Sequence, residues 1–267
     1  MTLSTAQVAQ YDADGFISPI GVFDEYEAAV LRRQLEGVEG RARGHTDREA
    51  AFLNDANWVI PFFDDLARDP AILDAVQCVI GEDILALHVD VFIKEPKSTQ
   101  YISWHQDLHY WGLDSTNEVT AWLALSPATS SSGCMRFVSG SHKKEFEHKD
   151  TFAVDNMLTR GQEVAVDVDE GKTVTAELKP GQMSLHHGRL LHASGTNNSP
   201  ARRIGIAIRY ISPKVGLADG GARIGASLVR GQDRYGHFEL VSPPRTEFEP
   251  LALRNWRRLR AIEEAIL

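Results

Sequence analysis

Apolar positions along the chain recur first with helical spacing and then switch to alternation. Tyr26, Val30, Leu31 and Leu35 share one face of a helix expected over 25–38, with Asp24 placed as its N-cap. Ile72, Leu73, Val76 and Ile80 do the same after Asp69-Pro70, and Gly81 follows as a stop signal. Ser4 is positioned to cap a shorter helix running to about Tyr11, and the 12–15 turn leads into a short strand at 16–20. Residues 37–48 mix glycines, charges and His45, which predicts a mobile loop.

From Ile84 the period becomes two. Leu85, Leu87, Val89 and Val91 alternate within a strand expected over 84–93. Further strands are expected at 119–125, 135–138, 173–178, 183–187 and 204–211, separated by turns rich in Ser, Gly, Asn and Pro. Helices followed by many short strands predict a mainly β fold with flanking helices, built as a double-sheet jelly roll. After Pro213 the chain is Gly-rich and expected to be irregular or lid-like. A last helix is expected over 251–267, with Trp256, Leu259, Ile262 and Ile266 spaced for packing. The expectation is one domain over 1–267: helical to about 82, a jelly-roll core over about 83–212, then a loop and helix over 213–267.

Composition narrows the setting. At 267 residues and 43% hydrophobic, the chain is long enough for one large domain with a sizeable core. A net charge of −9 and the lack of basic runs argue against nucleic acid or an anionic membrane as partner. Local arginines still leave room for an anionic ligand. The two cysteines, Cys78 and Cys134, lie far apart without metal-type spacing and point to a reducing compartment. Residues 1–10 show no basic segment followed by an apolar run, and no apolar stretch approaches the roughly 18 residues of a membrane span. Cytoplasm is the expected location.

Candidate chemistry concentrates between Ser103 and Trp111. His105 and Asp107 are two residues apart, so an extended backbone points both to one side. Two ligands are too few for a stable metal site, and His192, next to Ser194-Gly195, supplies a third. Two histidines and a carboxylate with open positions make the facial triad of non-haem Fe(II) oxygenases. An arginine pair, Arg202-Arg203, opens the 204–211 strand. Its alternating isoleucines predict a half-buried strand, so one of the two guanidiniums is expected to point inward. There it offers a planar, bidentate match to the distal carboxylate of a 2-oxoglutarate cosubstrate.

Three segments carry a family resemblance: 104–110 (WHQDLHY), 133–143 (GCMRFVSGSHK), and 192–197 (HASGTN) with Arg203. In their order and spacing the chain resembles the phytanoyl-CoA dioxygenase family of Fe(II)/2-oxoglutarate oxygenases, over roughly residues 7–211. The resemblance implies a double-stranded β-helix, a cupin-like variant of the jelly roll. It implies His105, Asp107 and His192 as iron ligands, and Arg203 with Ser194 as the holders of 2-oxoglutarate. Gln106 and Trp122 match positions lining the cosubstrate site, and Val91 stands at a cosubstrate contact whose residue identity differs here. Family relatives that halogenate replace the carboxylate ligand with a small residue, so Asp107 points to hydroxylation. The implied reaction uses O2 and a small organic substrate and releases succinate and CO2.

The remaining polar and aromatic residues are assigned by position. His109, Trp111 and Arg136 are candidates for the substrate pocket, and His187 is expected to be a satisfied, half-buried neighbour of the site. Arg136, Ser141 and His142 are expected to fix a loop at the pocket rim. The competing readings are a cupin-like metalloenzyme, isomerase or hydrolase, that does not use 2-oxoglutarate, and a non-catalytic binding protein of the same fold. Substrate identity and oligomeric state are not written in the sequence.

Overall fold

The computed structural model describes residues 2–158, 160–218 and 223–266. α1 (Thr5–Asp14) opens on a capping box in which Ser4 and Gln7 satisfy each other's backbone N–H groups. β1 (Phe16–Gly21) follows, and α2 (Glu25–Ala42) repeats the capping device with Asp24 and Glu27. α2 does not stop at Val38. Its buried stripe of Ala28, Leu35, Val38 and Ala42 carries the helix through Gly37 and Gly40, and α3 (Thr46–Leu53) starts soon after. The loop expected over 37–48 is therefore mostly helix. Burying Val38 and Ala42 outweighs the roughly 1 kcal/mol that each helical glycine costs. α4 (Pro61–Ala67) and α5 (Pro70–Ile80) each take proline in the first turn, where no N–H is needed.

The strands are β2 (Ile84–Lys94), β3 (Ile102–His105), β4 (Glu118–Ala124), β5 (Met135–Val138), β6 (His148–Asp150), β7 (Gln162–Val164), β8 (Thr173–Ala176), β9 (Gln182–His186), β10 (His192–Ser194), β11 (Arg203–Ile211), β12 (Gly225–Arg230) and β13 (Glu239–Leu240). α6 (Pro250–Ile266) comes last. Positions 219–222 of the Gly-rich segment, and Leu267, lie outside the described residues. Part of the segment expected to be irregular is ordered as β12.

Seven strands form one sheet in the order β1-β9-β4-β11-β2-β12-β13, and four form a second in the order β3-β10-β5-β8. Facing one another, they make the jelly roll, a double-stranded β-helix, with helices flanking the larger sheet. Alternation decides what each face does. Along β11, Ile204, Ile206 and Ile208 pack with Val89, Val91, Leu35, Phe63 and Leu73 on the helical side. Arg203, Ala207 and Arg209 turn the other way and line the space between the sheets. β2 splits in the same manner: Val89 and Val91 pack on the helical side, whereas His88, Asp90 and Phe92 face the cavity. The inner layer has a smaller apolar core of Phe16, Trp122, Met135 and Phe137. Beside it the inward positions are charged, and a cavity forms there.

Candidate metal centre

The two short strands β3 and β10 build the centre. They pair antiparallel with His192 opposite His105, which sets the ring centroids 4.1 Å apart. After His105 the chain leaves the strand and turns through a single 3-10 helical turn, Asp107–Tyr110. The turn brings Asp107 Oδ1 to 3.2 Å from His105 Nε2 and 3.9 Å from His192 Nε2. All three side chains are buried, and their donor atoms lie within 4.8 Å of one another. Each imidazole Nδ1 meets a backbone carbonyl two residues upstream, Ser103 O and Leu190 O, both at 2.9 Å. An Nδ1–H donated to those carbonyls leaves each Nε2 lone pair free for a metal.

Electrostatics prepare the same arrangement. Burial alone would raise the Asp107 carboxyl, but the Arg209 guanidinium, with His105 and His192, outweighs it and holds the group well below the usual carboxylate range. Arg209 Nε stands 3.7 Å from Asp107 Oδ2 while its NH1 donates to Asp90. Burial, reinforced by the neighbouring His105, pushes the His192 ring down to about 4. His192 is thus a neutral imidazole and Asp107 an ionised carboxylate, the forms that metal binding requires.

A second pocket opens behind the triad. Arg203 is fully buried, lies 5.1 Å over the Trp122 ring, and donates through NH1 to Gly133 O (2.8 Å) and Ser194 Oγ (3.2 Å). Its Nε is buried without a partner. Lys94, also fully buried, donates to Ser194 Oγ at 2.7 Å and to the carbonyls of Ser194 and Gly195. Burial and the adjacent Arg203 charge push the Lys94 ammonium down to about 6, and burial pushes Arg203 down to about 10. Among the described residues neither cation forms a salt bridge. Two backbones must come close to hold this geometry. A Cβ on Gly205 would lie 2.0 Å from the Trp122 ring, and one on Gly133 (φ +70°) would lie 2.2 Å from Gly195 O.

Other expected site residues divide. Trp111 lines the outer cleft, with the Arg209 guanidinium 5.5 Å over its ring. Of the two neighbouring arginines Arg203 points inward; Arg202 faces out and pairs with Glu39 at 2.7 Å. Val91 packs on the helical side and reaches only the outer cleft, while its neighbour Phe92 lines the inner pocket. Gln106 does not line that pocket. Its amide donates to Lys144 O (2.8 Å) and Arg189 O (2.5 Å), and its Oε1 accepts from Phe146 N (2.9 Å). His109 is turned away by the 3-10 turn, which breaks the strand alternation; it stacks on His148 with centroids 4.2 Å apart. Arg136 is on the outside, paired with Glu170 and 5.2 Å over the Trp104 ring. His187 is mostly buried, its Nδ1 accepting from Arg189 N at 2.9 Å, and Ser141 Oγ accepts from Leu191 N at 2.8 Å beside His192. His142 carries a buried Nδ1 without a partner.

The sequence reading missed Lys94, Arg209 and His186. Their signal was strand parity. His88, Asp90 and Lys94 occupy alternate positions of β2 between apolar neighbours, and Arg209 shares the parity of Arg203. Asp55, His88 and Glu263 form a second buried group, of which His88 and Glu263 line the outer cleft. Burial works against the charged His88 ring, but Glu263 and Asp55 outweigh it and raise the ring to about 9.

Comparison with known proteins agrees with this arrangement. A protein of Stutzerimonas stutzeri named "Probable alpha-ketoglutarate-dependent hypophosphite dioxygenase" is 29% identical over 174 residues, covering 64% of this chain and 60% of that protein. Human peroxisomal phytanoyl-CoA dioxygenase is 28% identical over 148 residues, covering 54% and 44% respectively. The matched stretches thus span less than two thirds of either relative. Among solved structures, the apo form of the non-heme monooxygenase ThoJ superposes with a TM-score of 0.85 at 30% identity, covering 97% of this chain and 96% of that one. The phytanoyl-CoA dioxygenase (PhyH) family matches residues 11–205, which hold the triad, Lys94 and Arg203, and the chain belongs to that family.

Proposed function

We propose that the protein is an Fe(II)- and 2-oxoglutarate-dependent dioxygenase that hydroxylates a C–H bond of a small organic molecule. The balance is R–H + O2 + 2-oxoglutarate → R–OH + succinate + CO2, with one oxygen atom entering each of the alcohol and the succinate. His105, Asp107 and His192 are the protein ligands in this reading. Iron, when bound there, supplies the oxygen activation that no side chain offers.

Everything else falls to the chain's own residues. Arg203 holds a carboxylate of the cosubstrate, and Ser194, which Arg203 and the Lys94 behind it both touch, fixes the position of the guanidinium. The Trp122 ring shields that contact from water and strengthens it. Arg209 keeps Asp107 ionised and aimed at the ligand position. A carboxylate at 107 occupies the position that a halide would need, which favours hydroxylation.

One observation carries the reading. A buried guanidinium without a carboxylate partner among the described residues, Arg203, sits beside a ligand-ready triad, with the buried Lys94 amine next to it. Buried charges are expensive unless paired, and a dicarboxylate supplies the missing partner. A cupin-like isomerase or hydrolase would leave the buried Arg203 charge uncompensated. The alpha-ketoglutarate dependence named for the Stutzerimonas relative supports the same cosubstrate. Among the described residues no helix is long and apolar enough to cross a membrane.

The test is calorimetry under argon, with Fe(II) and 2-oxoglutarate added singly and together, followed by a succinate-release screen of small organic molecules in air. Tight 2-oxoglutarate binding and a product 16 mass units heavier than its substrate are expected. Substrate turnover that proceeds without 2-oxoglutarate would overturn the proposal.

A further inference from the structure

Two cavities meet at the triad. The inner one contains Arg203, Trp122 and His186, and the outer is an open cleft of about 710 Å³. Among the described residues five line both: His105, Asp107, Arg209, Phe92 and Leu158. Metal ligation and charge account for the first three. Phe92 and Leu158 are apolar, the one on the larger sheet and the other on a loop tied to the chain just before β3 of the smaller sheet. Phe92 stands on the inner face of β2, its backbone paired with Gly205 of β11. Leu158 comes from the loop between β6 and β7, which crosses β3.

That loop is tied down. Met157 N donates to Tyr101 O (2.9 Å), and Asn156 Nδ2 donates to Ser103 Oγ (2.7 Å), two residues before His105. Asn156 Oδ1 accepts from Leu158 N (3.2 Å), and Leu158 O accepts from Gly161 N (2.8 Å). Leu158 is held at the junction by its own turn. Past this pair the outer cleft becomes charged, with His88, and with Arg260 and Glu263 of α6. α6 lies beyond residue 205, where the family match ends.

We infer that Phe92 and Leu158 form an apolar collar that receives a hydrocarbon segment of the substrate beside the metal centre. The substrate class is then an amphiphile, with an aliphatic reacting segment at the collar and a polar head group against His88, Arg260 and Glu263. A hydrocarbon gains by leaving water against Phe92 and Leu158, whereas a polar group set against those two side chains loses hydration without a hydrogen-bond partner on that side. The inference rests on the oxygenase reading for what happens to that segment, but the collar's binding preference can be measured separately.

The experiment titrates the full chain with n-alkanols from butanol to octanol by calorimetry, with and without Fe(II) and 2-oxoglutarate under argon. Affinity is expected to rise about fourfold per added methylene in the wild type. Leu158→Asn weakens octanol about tenfold and flattens the series, while Leu158→Met retains it. Phe92→Leu retains most of it. A flat chain-length dependence in the wild type overturns the collar, as does an unchanged series in Leu158→Asn. If the alkanol series climbs and depends on Leu158 but 2-oxoglutarate fails to bind, the collar stands and the oxygenase reading falls.

Discussion

Lys94 donates to the Ser194 hydroxyl over 2.7 Å, and the same hydroxyl accepts from Arg203. The Arg203 guanidinium and the Lys94 amine, which burial and the Arg203 charge keep largely unprotonated at neutral pH, are thus held around one neutral group, two residues along β10 from His192. An anion arriving there meets the Arg203 charge and favours protonation of Lys94 beside it. Arg203→Ala is expected to weaken 2-oxoglutarate binding by roughly 30-fold or more, and Lys94→Met by about tenfold, consistent with charged hydrogen bonds of about 1.5–3 kcal/mol. Calorimetry on the iron-loaded protein reads both, and iron content should stay unchanged.

Gln106 works on the metal centre from behind. Its three hydrogen bonds join the segment between two ligands to the 144–146 stretch and to Arg189. Gln106→Ala leaves those part-buried backbone groups without their side-chain partner, which costs roughly 1–3 kcal/mol. The variant should melt several degrees lower and lose iron more readily, with 2-oxoglutarate affinity of the remaining holoprotein little changed. A stable variant with normal iron affinity would show that Asp107 needs no such support.

Gly205 tests the wall of the inner pocket. A methyl group there would stand 2.0 Å from the Trp122 ring, so Gly205→Ala must displace the ring that lies over Arg203. Overpacking of this kind costs roughly 1–3 kcal/mol. A lowered melting temperature together with weakened 2-oxoglutarate binding is the expected pair of results.

Glu118 supplies the pH dependence. It is fully buried, its Oε1 accepts from Gly188 N at 2.7 Å, its Oε2 has no partner, and burial raises it to about 8. A raised carboxyl favours the fold most while protonated. Its contribution is complete below about 4.5 and is lost as pH rises toward 8. Glu118→Gln keeps the neutral form at every pH. The stability difference between this variant and the wild type should therefore grow from pH 5 to 8 in favour of glutamine, and then level off. A difference that stays flat across this range would mean that Glu118 is ionised in the fold.

Long, strongly patterned segments were legible in the sequence. α5 and β2 are long enough to display a period, and the capping residues Ser4, Asp24 and Asp69 mark their helices chemically. The triad was legible as residue types, but the strands that assemble it were not. β3 and β10 span four and three residues, too few for any period to emerge, and their pairing is set by the sheet as a whole. His109 was misplaced for a related reason. Extended alternation was projected past His105, where the chain turns into a 3-10 helix to return Asp107 to the metal position. Gln106 shows the limit of reading roles by resemblance, and Arg136 the limit of reading them by position, since their side chains are committed to Arg189 and Glu170. Lys94 went unseen because a lone lysine at a strand end reads as solvent-facing until the parity of β2 is followed to its last residue.

The most direct test is anomalous diffraction at the iron edge from crystals of the full chain grown with Fe(II) and 2-oxoglutarate under argon. Iron bound by His105, Asp107 and His192, with 2-oxoglutarate reaching Arg203, is the predicted result. Iron held by Asp55, His88 and Glu263 while the triad stays empty would contradict it.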